Sequence, residues 1–240
     1  MKPKILLATT FTALLCLPVM AVNYAGNGNT GFGGPVGQGS LTLTDNGTTL
    51  SGTINKGPNN FNDVLVIYLD TVGGGFADTS GFSDNADGLR RAISGYDGSN
   101  RSLLTFATGF SADYALALGP SSDSFGGLWT LASGGANSLN FNSSANLSPT
   151  GSSTSPTYTF SISLASIGIT AGQSFELFGT YIANSGYRSD EAVAGNATGT
   201  VGYNPFTQTS FATFTTTPVP EPTTLALTAA GLALLAIRRR

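Results

Sequence analysis

Apolar and polar positions alternate with a period of two along most of this chain, and clusters of turn residues break the alternation into short runs. Ser40 to Thr44 alternates strictly between hydroxyl and leucine side chains. Asp45-Asn46-Gly47 follows, the residue types a tight hairpin needs, and leads into a second alternating run, Thr49 to Ile54. Asp63 to Asp70 is apolar throughout its interior, as expected of a central strand covered on both faces. Further strand runs are Asp113 to Leu118, Gly127 to Leu131, Pro156 to Leu164, Phe175 to Ile182 and Ser210 to Thr215, with Thr198 to Tyr203 as an additional candidate. The runs at 156–164 and 175–182 read as neighbours joined by a short turn or 3₁₀ segment over Ala165 to Gly172. The one helical candidate is Gly88 to Ser94. Asn23 to Gly39 reads as a loose Gly-rich lead-in, and Asn137 to Ser155 as a long polar surface loop. No repeat of fixed period is visible, which argues against solenoids. The pattern predicts an all-β, antiparallel β-sandwich of jelly-roll-like kind.

Both ends depart from this pattern. Lys2 and Lys4 precede an apolar run from Ile5 to Leu17, and Val19 and Ala21 occupy the −3 and −1 positions of a cleavage site. Residues 1–21 therefore read as a signal peptide, with its helix removed on export. At the other end, Pro220-Glu221-Pro222 precedes an apolar segment, Leu225 to Ile237, and then Arg238-Arg239-Arg240. A segment of thirteen residues makes a helix of about 20 Å, short for a bilayer core of about 30 Å. The arginines orient it with the C-terminus cytoplasmic. The chain divides into a signal peptide (1–21), a secreted β domain (22–217) and a C-terminal segment (218–240).

These last residues resemble the PEP-CTERM sorting signal of exported bacterial proteins: a Pro-Glu-Pro motif, a short transmembrane helix and a basic tail together. The resemblance implies recognition by exosortase, a membrane peptidase that cuts near the motif. Pro220, Glu221, Pro222, Arg238, Arg239 and Arg240 are then the sorting residues. The implied route is an inner-membrane intermediate followed by release to the envelope or exterior. The prolines suit this role because they keep the backbone extended and open to a protease. A second resemblance lies in the core. Val64 to Asp70 with Gly73-Gly74-Gly75-Phe76, Phe110 to Leu118, and Ser174 to Ala183 with Gly186 to Glu191 are similar to DOMON and family 9 carbohydrate-binding-module β-sandwiches. The paired tryptophans of such sugar platforms are absent, since the chain has one Trp.

Composition narrows the chemistry. The chain has no histidine, and its single cysteine, Cys16, lies in the signal peptide. His-based triads, His-ligated zinc and thiol catalysis are excluded for the delivered domain. Within 22–217, Lys56, Arg90, Arg91, Arg101 and Arg188 face twelve carboxylates, a net charge of −7 (five minus twelve), which disfavours nucleic acid as a partner. A carboxylate-based glycosidase remains the less favoured enzyme class, with Asp190-Glu191 and Asp113 or Glu176 as candidates. The same residues also serve to tie loops to backbone amides. Asp78, Asp84 and Asp87 form an oxygen-rich set that calcium would suit, although the spacing fails the EF-hand template. An Asx turn with Asp87 as helix N-cap explains the same residues. Tyr187 and Trp129 are the candidate glycan contacts, Trp129 being the one whose apolar neighbours Leu128 and Leu131 point to the core. The expectation is a non-catalytic envelope or extracellular-matrix protein that associates with extracellular polysaccharide. The alternative is a carbohydrate-binding module with a definite glycan site.

Overall fold

A computed structural model describes residues 20–131 and 139–218. The signal segment and the C-terminal apolar segment lie outside the described residues, so the two helices expected there do too. Among the described residues no helix is long and apolar enough to cross a membrane.

The chain forms two sheets. The smaller contains β1 (Val22–Ala25), β2 (Ser40–Asp45), β3 (Thr49–Asn55) and β9 (Thr157–Ser163) in the order β1-β2-β3-β9, all antiparallel. The larger runs β12 (Gly195–Gly199), β13 (Phe206–Thr215), β10 (Ser174–Ile182), β4 (Val64–Asp70), β6 (Tyr114–Gly119), β7 (Phe125–Leu131) and β8 (Leu139–Ser144). β11 (Arg188–Val193) pairs with the end of β10, and the two-residue β5 (Leu104–Thr105) lies parallel to β13. The arrangement is sandwich-like and antiparallel apart from that one short pairing.

Each alternating run folds as its period dictates. Leu41, Leu43, Leu50 and Ile54 of the β2–β3 hairpin point inward, as do Tyr158, Phe160 and Ile162 of β9. The hairpin turn is held by Asn46, whose side-chain oxygen accepts from the amides of Thr48 and Thr49, and Gly47 takes φ +84°. In β3 the ring of Phe160 lies across Gly52, where a Cβ would sit 2.1 Å from the ring, so glycine is required there.

The larger sheet is covered on both faces. Leu65, Ile67, Leu69, Leu116, Leu118 and Leu177 meet the smaller sheet. Val64, Val66, Tyr68, Ala115, Ala117 and Phe178 face the other way, toward α1 (Gly88–Ser94) and Phe82, Phe106 and Phe110 of the 71–113 segment. This third layer explains why β4 is apolar at every interior position.

Four expectations are corrected. β9 and β10 are not neighbours: β9 ends in a 3₁₀ turn, Leu164–Ile167, and the chain crosses to the opposite sheet. Residues 137–155 are not all loop, because β8 pairs with β7 within them. The additional strand candidate at 198–203 is instead β12, Gly195–Gly199, and residues 188–193 form a strand outside the expected set.

The fourth correction concerns the Gly-rich lead-in. β1 pairs with β2, and residues 26–39 are pinned along β11. The fully buried Glu191 accepts four backbone amides: Phe32 (2.7 Å) and Gly34 (3.0 Å) on Oε1, and Val36 and Gly37 (both 3.0 Å) on Oε2. Asp190 accepts from the Gly31 amide at 2.9 Å. The glycines permit this path; a Cβ on Gly37 would sit 2.1 Å from the Asn29 carbonyl oxygen. Replacing Glu191 strands four amide donors in the interior. Glu191→Gln offers one acceptor oxygen and turns an NH2 toward those donors. It is expected to cost about 3 kcal/mol, and Glu191→Ala about 3–5 kcal/mol, read as a lowered urea midpoint. A loss under about 1 kcal/mol from both variants contradicts this account.

Candidate functional site

An aromatic cleft lies where α1, β7 and the edge strand β8 meet. α1 packs on the outer face of β6 and β4, beside β7. Asp87 caps it, its Oδ1 accepting from the Arg90 amide at 2.9 Å, and Gly95 closes it in the left-handed region at φ +63°. Leu89, Ala92 and Ile93 anchor the helix in the outer core. Arg90 points back over the sheet, with its guanidinium 5.7 Å from the Trp129 ring centre. Asp84 at 3.2 Å and Asp87 hold it there.

On β7, Phe125, Gly127 and Trp129 share that face. Gly127 makes room, since a Cβ there would sit 2.7 Å from the Trp129 ring. Phe141 of β8 meets the Trp129 ring edge-to-face at 5.5 Å and the Phe125 ring at 6.2 Å. Asp87, Leu89, Arg90, Asp123, Phe125, Trp129 and Phe141 line an open cleft of about 250 Å³. Phe125 and Phe141 are 38% and 49% exposed. The ingredients are two accessible ring faces beside a guanidinium and two carboxylates. Ring faces stack on apolar faces of planar or cyclic ligands, and the charged groups donate to or accept from hydroxyls.

The two residues expected to touch glycan are not brought together. Trp129 is only 2% exposed, so it floors the cleft and is not a surface platform: β7 turns it under Arg90 and Phe141. Its Nε1 is buried with no hydrogen-bond partner. Tyr187 is 39% exposed, but its ring stacks on Phe32 at 6.0 Å and meets Tyr203 edge-to-face at 5.3 Å. Among the described residues it shares no ring partner with Trp129. Phe125 and Phe141 were not singled out from the sequence. The signal is in Leu139-Asn140-Phe141-Asn142, an alternating run inside the polar stretch 137–155.

The candidate calcium ligands have amide and guanidinium partners instead. Asp84 Oδ1 accepts from the Ala86 amide and Asp78 Oδ1 from the Ser80 amide, both Asx turns. Asp84 and Asp87 converge on Arg90, which supplies the positive charge a cation would bring. Among the described residues, no three Asp, Glu, His or Cys side chains converge to hold a metal. Millimolar calcium or a chelator is therefore expected to move Tm by less than about 1 °C. A folded-state site filled at a hundredfold excess over its Kd would add about 2.7 kcal/mol and several degrees.

The carboxylates considered for acid–base work have other partners. Asp113 accepts from the amides of Thr71 (2.8 Å) and Val72 (2.9 Å), and Asp190 and Glu191 hold residues 31–37. Glu176 sits directly across from Asp70 in the β10–β4 register. Partial burial, then the Asp70 charge, pushes the Glu176 pKa up from its ordinary 4.5. Asp70 is raised chiefly by burial, with its bond from the Ser111 amide opposing and Asp113 adding to the shift. An acid with a raised folded-state pKa stabilises the fold below its unfolded pKa and loses that contribution as pH rises through the folded one. Glu176→Gln is thus expected to stabilise the fold slightly at pH 7, by about 0.3 kcal/mol after solvent screening, seen as a small rise in Tm, and to leave Tm unchanged well below pH 4.5. Differential scanning calorimetry at both pH values checks this; a lower Tm at pH 7 contradicts it.

Residues 218–240 match the family described as PEP-CTERM protein-sorting motif. The chain carries a PEP-CTERM sorting signal. That motif supports export and sorting through exosortase at the membrane, followed by the envelope or the exterior. No curated protein and no solved structure matches the chain. The resemblance of the core to DOMON and family 9 carbohydrate-binding modules therefore rests on the sequence pattern.

Proposed function

We propose that the delivered domain is a non-catalytic envelope or extracellular-matrix protein that associates with extracellular polysaccharide through the Phe125–Phe141 cleft. The C-terminal arginines keep the tail cytoplasmic while the domain lies outside the inner membrane. The observation that carries the reading is the pair of exposed rings, Phe125 and Phe141, set beside Arg90, Asp87 and Asp123 on the edge of the sheet. Sugar rings present apolar faces to aromatics and a rim of hydroxyls to charged groups, so this chemistry fits a polysaccharide chain running past an edge strand. An acidic domain with few cations also stays soluble in the envelope and avoids anionic polymers, so neutral glycans suit it best.

The test is calorimetry of residues 22–217 against a panel of neutral and acidic polysaccharides. Saturable binding to a neutral glycan is expected, weakened about tenfold by Phe141→Ala, which is about 1.4 kcal/mol. Binding that Phe141→Ala leaves intact removes the cleft from the reading, and silence across the panel removes the polysaccharide.

A further inference from the structure

The folded domain runs without slack into the sorting signal. Thr216, buried just past the end of β13, donates its amide to the Gln173 carbonyl at 2.9 Å, and its hydroxyl lies 3.1 Å from the Thr170 carbonyl. Thr217 donates its amide to both Asp45 carboxylate oxygens, at 3.1 and 3.0 Å, and its hydroxyl to Oδ2 at 3.1 Å. Asp45 is itself buried, and its Oδ1 also accepts from the Gly47 amide at 2.8 Å. It belongs to β2 of the smaller sheet, whereas Thr217 follows β13 of the larger, so this carboxylate straps the exit of the chain across the sandwich. Pro218 then passes Gly172. Pro218 is also the first residue of the matched sorting motif.

Chain length makes this consequential. Pro220 is three residues beyond Thr217, at most about 11 Å of extended chain. Peptidases commonly seat several residues on each side of the cut bond in extended form, with their backbone groups paired to the enzyme. Residues upstream of a cut near Pro220-Glu221-Pro222 then include Thr216 and Thr217, whose backbone and hydroxyl groups the domain already holds. Both sets of bonds compete for the same groups.

We propose that the Asp45–Thr217 clamp is a latch on sorting: Thr216 and Thr217 leave the domain before the membrane peptidase seats its substrate, and the strength of the clamp limits the rate of tail removal. The proposal rests on the sorting signal being cut by that peptidase. Local opening of a terminal strand end is the kind of low-energy fluctuation that supplies such access. The faces beside the exit are uncharged, with Asn46, Gly47 and Thr48 on one turn and Thr170, Ala171, Gly172 and Gln173 on the other. They offer no charge repulsion to a membrane or an enzyme that approaches them closely.

The experiment uses the full chain in cells that carry the peptidase. Pulse-chase labelling follows conversion of the precursor to the shortened form. Asp45→Ala and a six-residue Gly-Ser insertion between Thr217 and Pro218 are each expected to speed tail removal several-fold. The insertion supplies slack without touching the clamp, so it decides alone if Asp45→Ala fails to fold. An insertion variant, or a folded Asp45→Ala variant, cut at the wild-type rate overturns the latch. Glu221→Ala serves as the control in each background. Tail removal that persists in Glu221→Ala overturns the sorting assignment itself, whatever the rates in the other variants.

Discussion

Glu191 carries its carboxylate into a site with no exposed surface and meets there four backbone amides and no cation. A buried carboxylate is costly unless its lone pairs are taken, and four N–H donors from residues 32–37 take them. The consequence runs along the chain in both directions. The Gly-rich segment becomes a fixed layer over β11, Phe32 is placed between Tyr181 and Tyr187, and β1 is delivered to the edge of β2. Arg188 lies on the same strand but on the opposite face, above Phe206 and bonded to Thr180, so these two buried charges do not pair. Burial presses the Arg188 pKa downward, and the nearby Tyr68 hydroxyl counters it.

The same economy appears across the domain. With five cations available to twelve carboxylates, the acids are partnered by amides: Asp45 at Thr217, Asp70 at Ser111, Asp113 at Thr71 and Val72, Asp190 at Gly31. Among the described residues, both ion pairs involve one residue, Arg90, and they orient it over Trp129. Electrostatic order is therefore used to tie loops to strands and, at one place, to shape the cleft. Exposed salt bridges contribute little to stability in any case, whereas a carboxylate saturated with amides fixes geometry.

Periodicity was enough to read β2, β3, β4 and α1 from the sequence, because each buries a regular set of apolar positions. It failed where burial does not follow polarity. β11 buries Arg188, Ser189 and Glu191, which look like surface residues until their partners are known. β8 is an edge strand with exposed neighbours on both faces, so its alternation was masked by asparagine and serine. The placement of β9 and β10 in different sheets depends on a crossover that no local pattern encodes. Of the candidate site, Trp129, Asp84 and Asp87 were named from residue type alone. Phe125 and Phe141 do not stand out, because their value comes from a contact between β7 and the edge strand β8, a matter of strand pairing.

Residues 22–217 carry no cysteine, which suits export because thiol oxidation cannot alter the carboxylate–amide bonds that hold the domain. The central claim is that residues 26–39 form an ordered part of the sandwich through Glu191. Hydrogen exchange at the Phe32, Gly34, Val36 and Gly37 amides of the exported protein tests it most directly. These four amides are expected to exchange as slowly as those of the core strand β4, opening only with the whole domain. Exchange at the rate of an open Gly-rich loop would contradict the account.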